Sequence, residues 1–532
     1  MTPIHKALLS GTLALILGTN LSCNTPVHAR DQAVKTFTLT VIGTNDFHGR
    51  VHRLPWFAGY LNNLRRQINP ENHGVLLVDA GDMFQGTLES NLNEGAIVVD
   101  AYNALGYHGV TIGNHEYDFG PVGPLVSAQH PEDDPRGALR ARAKQARFPF
   151  LAANTVESST GNPPAWDNVH PTALLHIGGM NIGLIGVTTT DTPSSTVAAN
   201  VVGLRFTPLA KSIEHYAKKL RNQGAMVVIV LAHEGGLCHH VTNSVDTSSC
   251  DLRKPIAKVA SALEPGLVNV IVAGHTHQTI AHIINHVPII ESWSNGRGFG
   301  RVDLQIDRTH RTVLHAKVYP PQPICKESRG ETCTPEPYAG APVHPDPHIL
   351  KVIAPAIEYA ASRKQRSLNV TVEQTLRREY NRESALGNFV TDMMLKAQPK
   401  ADLAIINAGA LRVNLTKGPL TYGKLYEVHP FDNNFALISL TGTQLKDMLL
   451  RNLKSAGGML SLAGVQVQAS CKHHSIEILV QRPNGKVIED HEIITVATSD
   501  FLATGGDDIF RRKHLAPNAV NIDARSIRDT IA

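Results

Sequence analysis

The segment FTLTVIGTNDFH, residues 37–48, sets a pattern that the chain repeats. Residues 37–42 form a short, largely apolar run, and this run ends a few positions before Asp46 and His48. Apolar runs of this length are typical of strands that are buried on both faces. The segment therefore predicts a buried strand that carries an aspartate and a histidine, two residues that can bind a metal, to the edge of a sheet.

The same arrangement recurs along the N-terminal half. Apolar runs at 75–78, 110–112, 226–231 and 268–273 also end just before side chains that can bind metal, and a run at 181–187 has the same apolar character. Longer amphipathic stretches separate the runs, which predicts helices between strands and a layered α/β fold. Ligands bind beyond the carboxyl ends of the strands in such sheets. The side chains delivered to that edge are Asp82, Asn114, His115, Glu116, His233, His275 and His277.

Each of these features has a simpler explanation when it is taken alone. A lone histidine at a strand end is usually a core or surface residue, and aspartate after glycine is common in turns. The tetrapeptides GNHE at 113–116 and GHTH at 274–277 are more specific. Chance does not supply five such groups in order, each after a predicted strand, and the set therefore predicts a metal site.

Length and charge are those of an ordinary soluble globular protein. A chain of 532 residues predicts two large domains or three smaller ones. Apolar residues make up 42% and charged residues 18%, as is usual for globular domains. The net charge is only +4, and no basic stripe is present, which argues against a nucleic-acid polymer as the partner.

The N-terminus predicts export. An apolar run at residues 7–17 is shorter than the about 20 apolar residues of a transmembrane helix. Val27-His28-Ala29 fits the small-x-small pattern of a cleavage site, which predicts a signal peptide over 1–29. Lipidation at Cys23 is the alternative. Both interpretations place the protein in the periplasm or outside the cell, and no later segment has the length and apolar character of a transmembrane span.

The other cysteines agree with an oxidising compartment. Cys238 lies close in sequence to Cys250, and Cys325 lies close to Cys333. Both pairs flank polar loop sequence, so we expect two small disulfide loops. Cys471 is left over, and we expect it to be a buried free thiol.

The composition changes near residues 319–347, where eight prolines fall in one stretch. A segment so dense in proline cannot form a packed helix or a central strand, so we expect a linker or a surface excursion. Helical spacing over 349–362 predicts a helix that bridges two domains. A second α/β pattern begins near residue 370.

The N-terminal blocks resemble the five motifs of the calcineurin-like metallophosphoesterase superfamily. The resemblance implies ligands by position, three for one metal, three for a second and one carboxylate that bridges both: Asp46, His48 and His277; Asn114, His233 and His275; and Asp82. Some nucleotidase relatives carry glutamine where this chain has His277, which leaves the metal preference open.

The chemistry of a metal pair fits those roles. Two divalent ions about 3.5–4 Å apart can clamp a phosphoryl group and lower the pKa of a bound water to about 7, which supplies a hydroxide nucleophile. Imidazole and carboxylate ligands suit Zn, Mn, Fe or Co better than Mg or Ca. His115 is not needed as a ligand, and we expect it to contact the phosphoryl oxygen or protonate the leaving alkoxide. Asp118 would hold its other ring nitrogen; a carboxylate that caps its own loop is the alternative.

The C-terminal third carries groups that could recognise a nucleotide. Arginine forks bind phosphate. Two aromatic rings, which we expect on loops here, can sandwich a nucleobase, with about 1–3 kcal/mol per stacked base. From composition alone, such arginines are more often solvated and such phenylalanines more often cover local core. The segments are Arg378 with RESALGN at 382–388, NAGALR at 407–412, HPF at 429–431 and SDFLATGGD at 499–507.

In order and spacing these segments resemble the C-terminal domain of the 5′-nucleotidase family, which includes periplasmic UDP-sugar hydrolases and animal ecto-5′-nucleotidases. The resemblance covers about residues 36–530. It implies base stacking by two phenylalanines, phosphate contacts by three arginines, and base or ribose contacts by two further residues: Phe431 and Phe501; Arg378, Arg382 and Arg412; and Asn407 and Asp507.

The implied organisation is a signal peptide at 1–29, an αββα-layered metallophosphoesterase domain at 36–320, a linker at 321–369 and a smaller α/β nucleotide-binding domain at 370–530. The seven C-terminal residues expected to bind the nucleotide, called the clamp below, lie on a different domain from the metals. We therefore also expect the C-terminal domain to swing on a hinge within residues 346–371.

The implied function is hydrolysis of nucleoside 5′-monophosphates to nucleoside and phosphate. Cleavage of UDP-sugars, NAD or 2′,3′-cyclic nucleotides on the same scaffold is the alternative. A catalytically inactive nucleoside-binding surface protein is an alternative of another class, and the complete ligand set argues against it.

Overall fold

The structure is a computed structural model that describes residues 36–329, 332–454, 458–472, 475–510, 515–516 and 519–532. The predicted signal peptide at 1–29 and the lipidation site Cys23 lie outside the described residues.

Two β-sheets pack face to face in the N-terminal part. The first has seven strands, in the order Thr312–Pro323, Gly298–Asp307, Thr36–Thr44, His73–Asp79, Gly109–Thr111, Phe150–Leu151 and Val169–His170. The second has six strands, in the order Thr279–Ile284, Val287–Ser292, Val270–Ala273, Val227–His233, Met180–Thr188 and Thr172–Ile177. The strands that precede the predicted ligands run parallel to one another within each sheet, so their carboxyl ends meet at one edge.

Alternation along the strands divides the apolar side chains between two cores. Every residue of Val227–His233 is buried, which explains why this run is continuously apolar. Its residues go alternately to the core between the sheets and to the core under the outer helices: Val227, Ile229 and Leu231; and Val228, Val230 and Ala232.

Helices cover the outer face of each sheet. Leu54–Gln67 and Ala96–Leu105 pack on the first sheet, and Leu209–Asn222 and Pro255–Ala262 pack on the second. The predicted αββα layering is therefore confirmed. Shorter helices and two-stranded pairs complete this part: Val51–Arg53, Leu88–Asn91, His115–Tyr117, Gly137–Gln145, Thr192–Ser195, Ala198–Val201, Thr155–Glu157 with Leu204–Phe206, and Glu327–Arg329 with Thr332–Thr334.

Three of the clustered prolines lie in a strand, which the sequence did not predict. Pro320, Pro321 and Pro323 end the strand Thr312–Pro323, which passes beyond the expected domain limit at residue 320. This strand is at the edge of its sheet, where a residue without an N–H group can be accommodated.

The C-terminal part has a five-stranded sheet, in the order Ser461–Ala463, Leu403–Ile406, Ile493–Ser499, Asn434–Thr441 and Val520–Ser526. Helix Gly442–Lys454 packs on one face and helix Ala385–Ala397 on the other. The remaining elements are Ser367–Val372 with Gly418–Thr421, Gln466–Lys472 with Ser475–Gln481, Ala408–Ala410, Tyr422–Val428, Asp500–Ala503, Gly506–Asp508 and Ile527–Ile531.

Helix Pro347–Gln365 connects the two parts. Asp346 caps its N-terminus by accepting hydrogen bonds from the backbone N–H groups of His348 and Ile349. Its N-terminal half packs into the core under the first sheet. Near its C-terminus, Ala360 packs with Tyr426 of the C-terminal part. The bridging helix predicted at 349–362 is thus present and extends further at both ends.

The cysteines follow the prediction in part. The structure pairs Cys238 with Cys250 and Cys325 with Cys333. The prediction for Cys471 is wrong, because its side chain is exposed. It lies in the two-stranded ribbon Gln466–Lys472 and Ser475–Gln481, outside the main C-terminal sheet. Among the described residues, none of the helices combines the length and apolar character that a membrane span requires.

Candidate active site

Tight turns after the strands bring the predicted ligands together. Asp46, His48, Asp82, His275 and His277 all have backbone φ angles in the left-handed region, between 49° and 73°. Such conformations are costly for residues other than glycine and persist only where the surrounding structure fixes them. A Cβ atom on the glycine that precedes Asn114 would overlap the Asp82 carboxylate, so the GNHE turn requires glycine at that position.

Three of the predicted ligands form a first group. The Nε2 atoms of His48 and His277 are 3.1 Å apart. His277 Nε2 is 3.2 Å from Asp46 Oδ1, and His48 Nε2 is 3.9 Å from the same oxygen. The ligand atoms of Asp46, His48 and His277 all lie within 4.8 Å of one another, close enough to hold one metal ion.

A second group lies beside the first. Asp82, His233 and His275 also place one ligand atom each within 4.8 Å of the others. His233 Nε2 is 3.1 Å from Asp82 Oδ2 and 3.0 Å from Asn114 Oδ1. Asp82 Oδ2 is also 4.0 Å from His48 Nε2 in the first group. Asp82 therefore lies between the two groups.

The electrostatics of the cluster suit a cation. Burial alone would raise the pKa of the Asp46 carboxyl, but His277 and His233 outweigh it and lower this pKa to about 2. For Asp82 burial is likewise outweighed, chiefly by His233 and His115, and its pKa lies well below the usual range. Burial and the charge of Arg412 lower the pKa of His48. Ionised carboxylates and a neutral imidazole are the forms that bind metal.

A second layer of hydrogen bonds orients the ligands. The Nδ1 atoms of His48 and His233 lie 2.8 Å from the carbonyls of Gln85 and Ala80, so Nε2 of each ring faces the cluster. The buried Glu116 accepts hydrogen bonds from the backbone N–H groups of Asp82, Met83 and Gly113. Glu116 was noted within GNHE but given no role, because its partners Asp82 and Met83 lie more than 30 positions away.

Glu291 supports the GHTH turn in the same way, and sequence reasoning missed it. Its buried carboxylate accepts hydrogen bonds from Thr276 Oγ1 at 2.6 Å and from the backbone N–H groups of Gly236 and Gln278, each at 3.2 Å. No local motif marks this residue, since it lies in the adjacent strand Val287–Ser292.

His115 and Asp118 meet as the dyad interpretation requires. His115 Nδ1 is 2.6 Å from Asp118 Oδ2, and Thr196 Oγ1 donates to the other carboxylate oxygen at 2.8 Å. The His115 backbone N–H donates to Asp82 Oδ1 at 2.9 Å. Burial would lower the pKa of His115, but Asp118 and Asp82 outweigh it and raise this pKa.

A cavity of about 1330 Å³ lies between the two parts of the chain and reaches the ligand cluster. Arg412 Nη2 is 3.1 Å from His48 Nε2, and the Phe431 ring is 5.6 Å from the His115 ring. Residues of both parts line the cavity, among them Asp82, Asn114, His115, Asp118, His275, His277, Arg378, Asn407, Arg412, Phe431, Phe501 and Asp507.

The clamp residues are partly prearranged. Asn407 Nδ2 donates to Asp507 Oδ2 at 2.6 Å, while the buried Asn407 Oδ1 has no protein partner among the described residues. Phe501 lies in the short helix Asp500–Ala503, where the sequence predicted a loop, and its ring packs against Gly506. Arg382 does not reach the cavity: its side chain is exposed and pairs with Glu379 at 3.1 Å, so its phosphate contact stays a prediction.

Two protein-family models match the chain. The calcineurin-like phosphoesterase model matches residues 39–279, and the 5′-nucleotidase C-terminal domain model matches residues 362–512. The matched regions contain every predicted site residue, with the clamp in the second.

Curated relatives extend over the same span. The protein UshA of Salmonella pullorum is 24% identical over 568 residues, which cover 99% of this chain and 96% of UshA. The endonuclease YhcR of Bacillus subtilis is 26% identical over 88% of this chain, but this chain spans only 37% of the length of YhcR.

A solved structure has the same fold. The crystal structure of a 5′-nucleotidase precursor from Thermus thermophilus aligns with a TM-score of 0.73 and 24% identity, over 93% of this chain and 95% of that chain. The two chains therefore share their fold over both the N-terminal and the C-terminal part. The chain therefore belongs to the 5′-nucleotidase family of phosphoester hydrolases, with an N-terminal calcineurin-like metallophosphoesterase domain.

Proposed function

We propose that this protein is an exported hydrolase that uses two divalent metal ions to convert nucleoside 5′-monophosphates into nucleoside and phosphate. The observation that carries the proposal is the meeting of the two domains at the cluster. Arg412 of the C-terminal domain lies 3.1 Å from His48, and Phe431 lies 5.6 Å from His115, ring to ring. A phosphate at the cluster and a base at the phenylalanines can therefore belong to one molecule.

The residues present fit a pair of ions. Asp46, His48 and His277 would hold one ion, and Asn114, His233 and His275 would hold the other, with Asp82 shared. Nitrogen and oxygen donors of this kind favour Zn, Mn, Co or Fe. When bound, such a pair supplies Lewis-acid stabilisation of the phosphoryl group and an activated water.

The side chains around the cluster supply the remaining chemistry. Arg412 would hold phosphoryl oxygens with its guanidinium fork, and Arg378, whose Nη1 donates to the Arg412 carbonyl at 3.1 Å, would reinforce that positive charge. His115, held by Asp118, would donate a proton to the leaving 5′-oxygen. Asn407 and Asp507 would take up ribose and base hydrogen bonds.

Export follows from the N-terminal sequence in this proposal. Residues 1–29 would direct the chain to the periplasm or the cell exterior, where both disulfides can form. A charged nucleotide must lose its phosphate before it can be taken up as a nucleoside. The protein would therefore act in nucleotide scavenging.

The direct test is release of phosphate by the mature protein from AMP, with UMP, UDP-glucose, NAD and 2′,3′-cyclic AMP compared under the same conditions. We expect AMP or UMP to be the best substrate, activity to be lost in EDTA and to return with Zn, Mn or Co. Products from the last three substrates would be followed by chromatography, because they release no phosphate in a first step. A preference for UDP-glucose or NAD would contradict the monophosphate assignment.

Substitution of Phe501 tests the clamp. Phe501→Leu keeps an apolar side chain but removes the π-face, so we expect the KM for AMP to rise by about 5- to 150-fold with little change in kcat. Ribose 5-phosphate is the matched control, because it has the same leaving group and no base. An equal change with both substrates would mean that the substitution disturbs the site rather than base stacking.

A further inference from the structure

Arg528 lies directly behind the segment that carries Phe431. It belongs to the C-terminal helix Ile527–Ile531, and only 4% of its surface is exposed. Its Nη1 atom donates to the carbonyls of His429 and Phe431 at 3.4 and 3.1 Å, and its Nη2 atom donates to the Asp432 carboxylate. One guanidinium thus binds three residues of the segment 429–432.

The same guanidinium is held from its other side by the helix that leads into this segment. It lies 4.1 Å from the centre of the Tyr426 ring, and Nε donates to the Tyr422 hydroxyl at 3.3 Å. Both tyrosines belong to helix Tyr422–Val428. Arg528 therefore ties the end of this helix to the turn that follows it.

The turn meets the catalytic domain on the opposite side. Asn91 Nδ2 donates to the Pro430 carbonyl at 3.2 Å, and the Phe431 ring is 5.6 Å from His115 and 5.7 Å from Arg412. A small shift of the Phe431 backbone would move its ring relative to His115 of the catalytic domain and to Arg412, the arginine proposed to bind phosphate. Arg528 holds this backbone directly, through the Phe431 carbonyl.

We infer that Arg528 is a positioning residue for base recognition: it holds residues 429–432 so that the Phe431 ring lies ready to stack on the base. The inference rests on the proposed function, because it presumes that the base binds at Phe431. Arg528 lies beyond residues 362–512, the part matched by the family model, and sequence reasoning did not select it.

The geometry explains why arginine is needed. Only a planar guanidinium offers several donors in a fixed fork and also stacks on an aromatic ring. A lysine ammonium is a point charge and cannot bind two carbonyls and a carboxylate while it covers Tyr426. Without the fork, substrate binding must itself order the turn, and the lost backbone freedom weakens binding.

The test compares Arg528→Met and Arg528→Lys with the wild type on AMP and on ribose 5-phosphate. We expect both variants to raise the KM for AMP about tenfold with kcat unchanged, the result of losing part of one base stack. Both constants for ribose 5-phosphate should stay unchanged, since that substrate has no base. Arg525→Met is the matched control: Arg525 is exposed, pairs with Asp523 at 2.6 Å and should leave AMP hydrolysis unchanged.

The outcomes separate this inference from the proposed function. If the wild type hydrolyses ribose 5-phosphate and AMP with equal kcat/KM, the proposed base clamp is wrong. If the wild type prefers AMP and the variants keep that preference, or lose activity on both substrates equally, the role of Arg528 is wrong. Should Arg528→Met fail to fold, Tyr422→Phe removes one contact of the guanidinium and should raise the KM for AMP alone.

Discussion

Replacing Asp82 by alanine is expected to reduce AMP hydrolysis by about 10³-fold or more, because metal centres contribute several kcal/mol to stabilising charge in the transition state. Asp82 Oδ2 is 3.1 Å from His233 and 4.0 Å from His48, so this carboxylate oxygen lies near histidines of both groups. In the proposed two-metal site its loss would remove a ligand from each ion at once. We expect the purified variant to contain fewer than two ions per chain by elemental analysis.

The control for this substitution must also remove a hydrogen-bonded carboxylate. Asp303 pairs with Arg301 at 2.6 Å and accepts from Thr40 at 2.6 Å, on the first sheet and away from the cluster. Asp303→Asn should lower the free energy of unfolding but leave metal content and turnover per folded molecule unchanged. An Asp82→Ala protein that keeps two ions and wild-type turnover would rule out the bridging role.

The sequence predicted that the candidate ligand side chains would lie together, because the information needed for that is local. Each ligand lies a few residues after an apolar run, and parallel strands necessarily deliver their carboxyl ends to one edge. Strand ends and ligands could therefore be predicted together, although the exact strand limits could not. The same holds for the helix Pro347–Gln365, whose apolar spacing is visible in the chain.

What the sequence did not predict depends on contacts between distant segments. Glu116 and Glu291 orient ligand turns through backbone N–H groups that no motif identifies. Arg528 lies about 100 positions from the turn it holds. Cys471 was expected to be buried because free cysteines usually are, but its side chain is exposed in a two-stranded ribbon outside the main C-terminal sheet. Burial of this kind is decided by which element covers which, and a single sequence does not encode that locally.

Replacing His115 by alanine is expected to lower kcat for AMP by about 10²- to 10⁴-fold, the usual contribution of a positioned acid or base. Its Nδ1 atom is 2.6 Å from Asp118, which leaves Nε2 to face the cavity as the donor. His115 is not among the ligands of either group, so both ions should remain bound in the variant. Asp118→Asn, which weakens the hold on the ring but keeps its shape, should cause a smaller loss.

A comparison of substrates with different leaving groups distinguishes the two predicted roles of His115. The 5′-oxygen of a nucleoside leaves as a strongly basic alkoxide and needs a proton, whereas p-nitrophenolate leaves without one. If His115 is the acid, His115→Ala should lose much less activity on p-nitrophenyl phosphate than on AMP. An equal loss on both substrates would instead assign His115 to the phosphoryl oxygen, because that contact is the same in either ester. In that case the Asp118 carboxylate would serve to keep His115 positively charged rather than to support proton transfer.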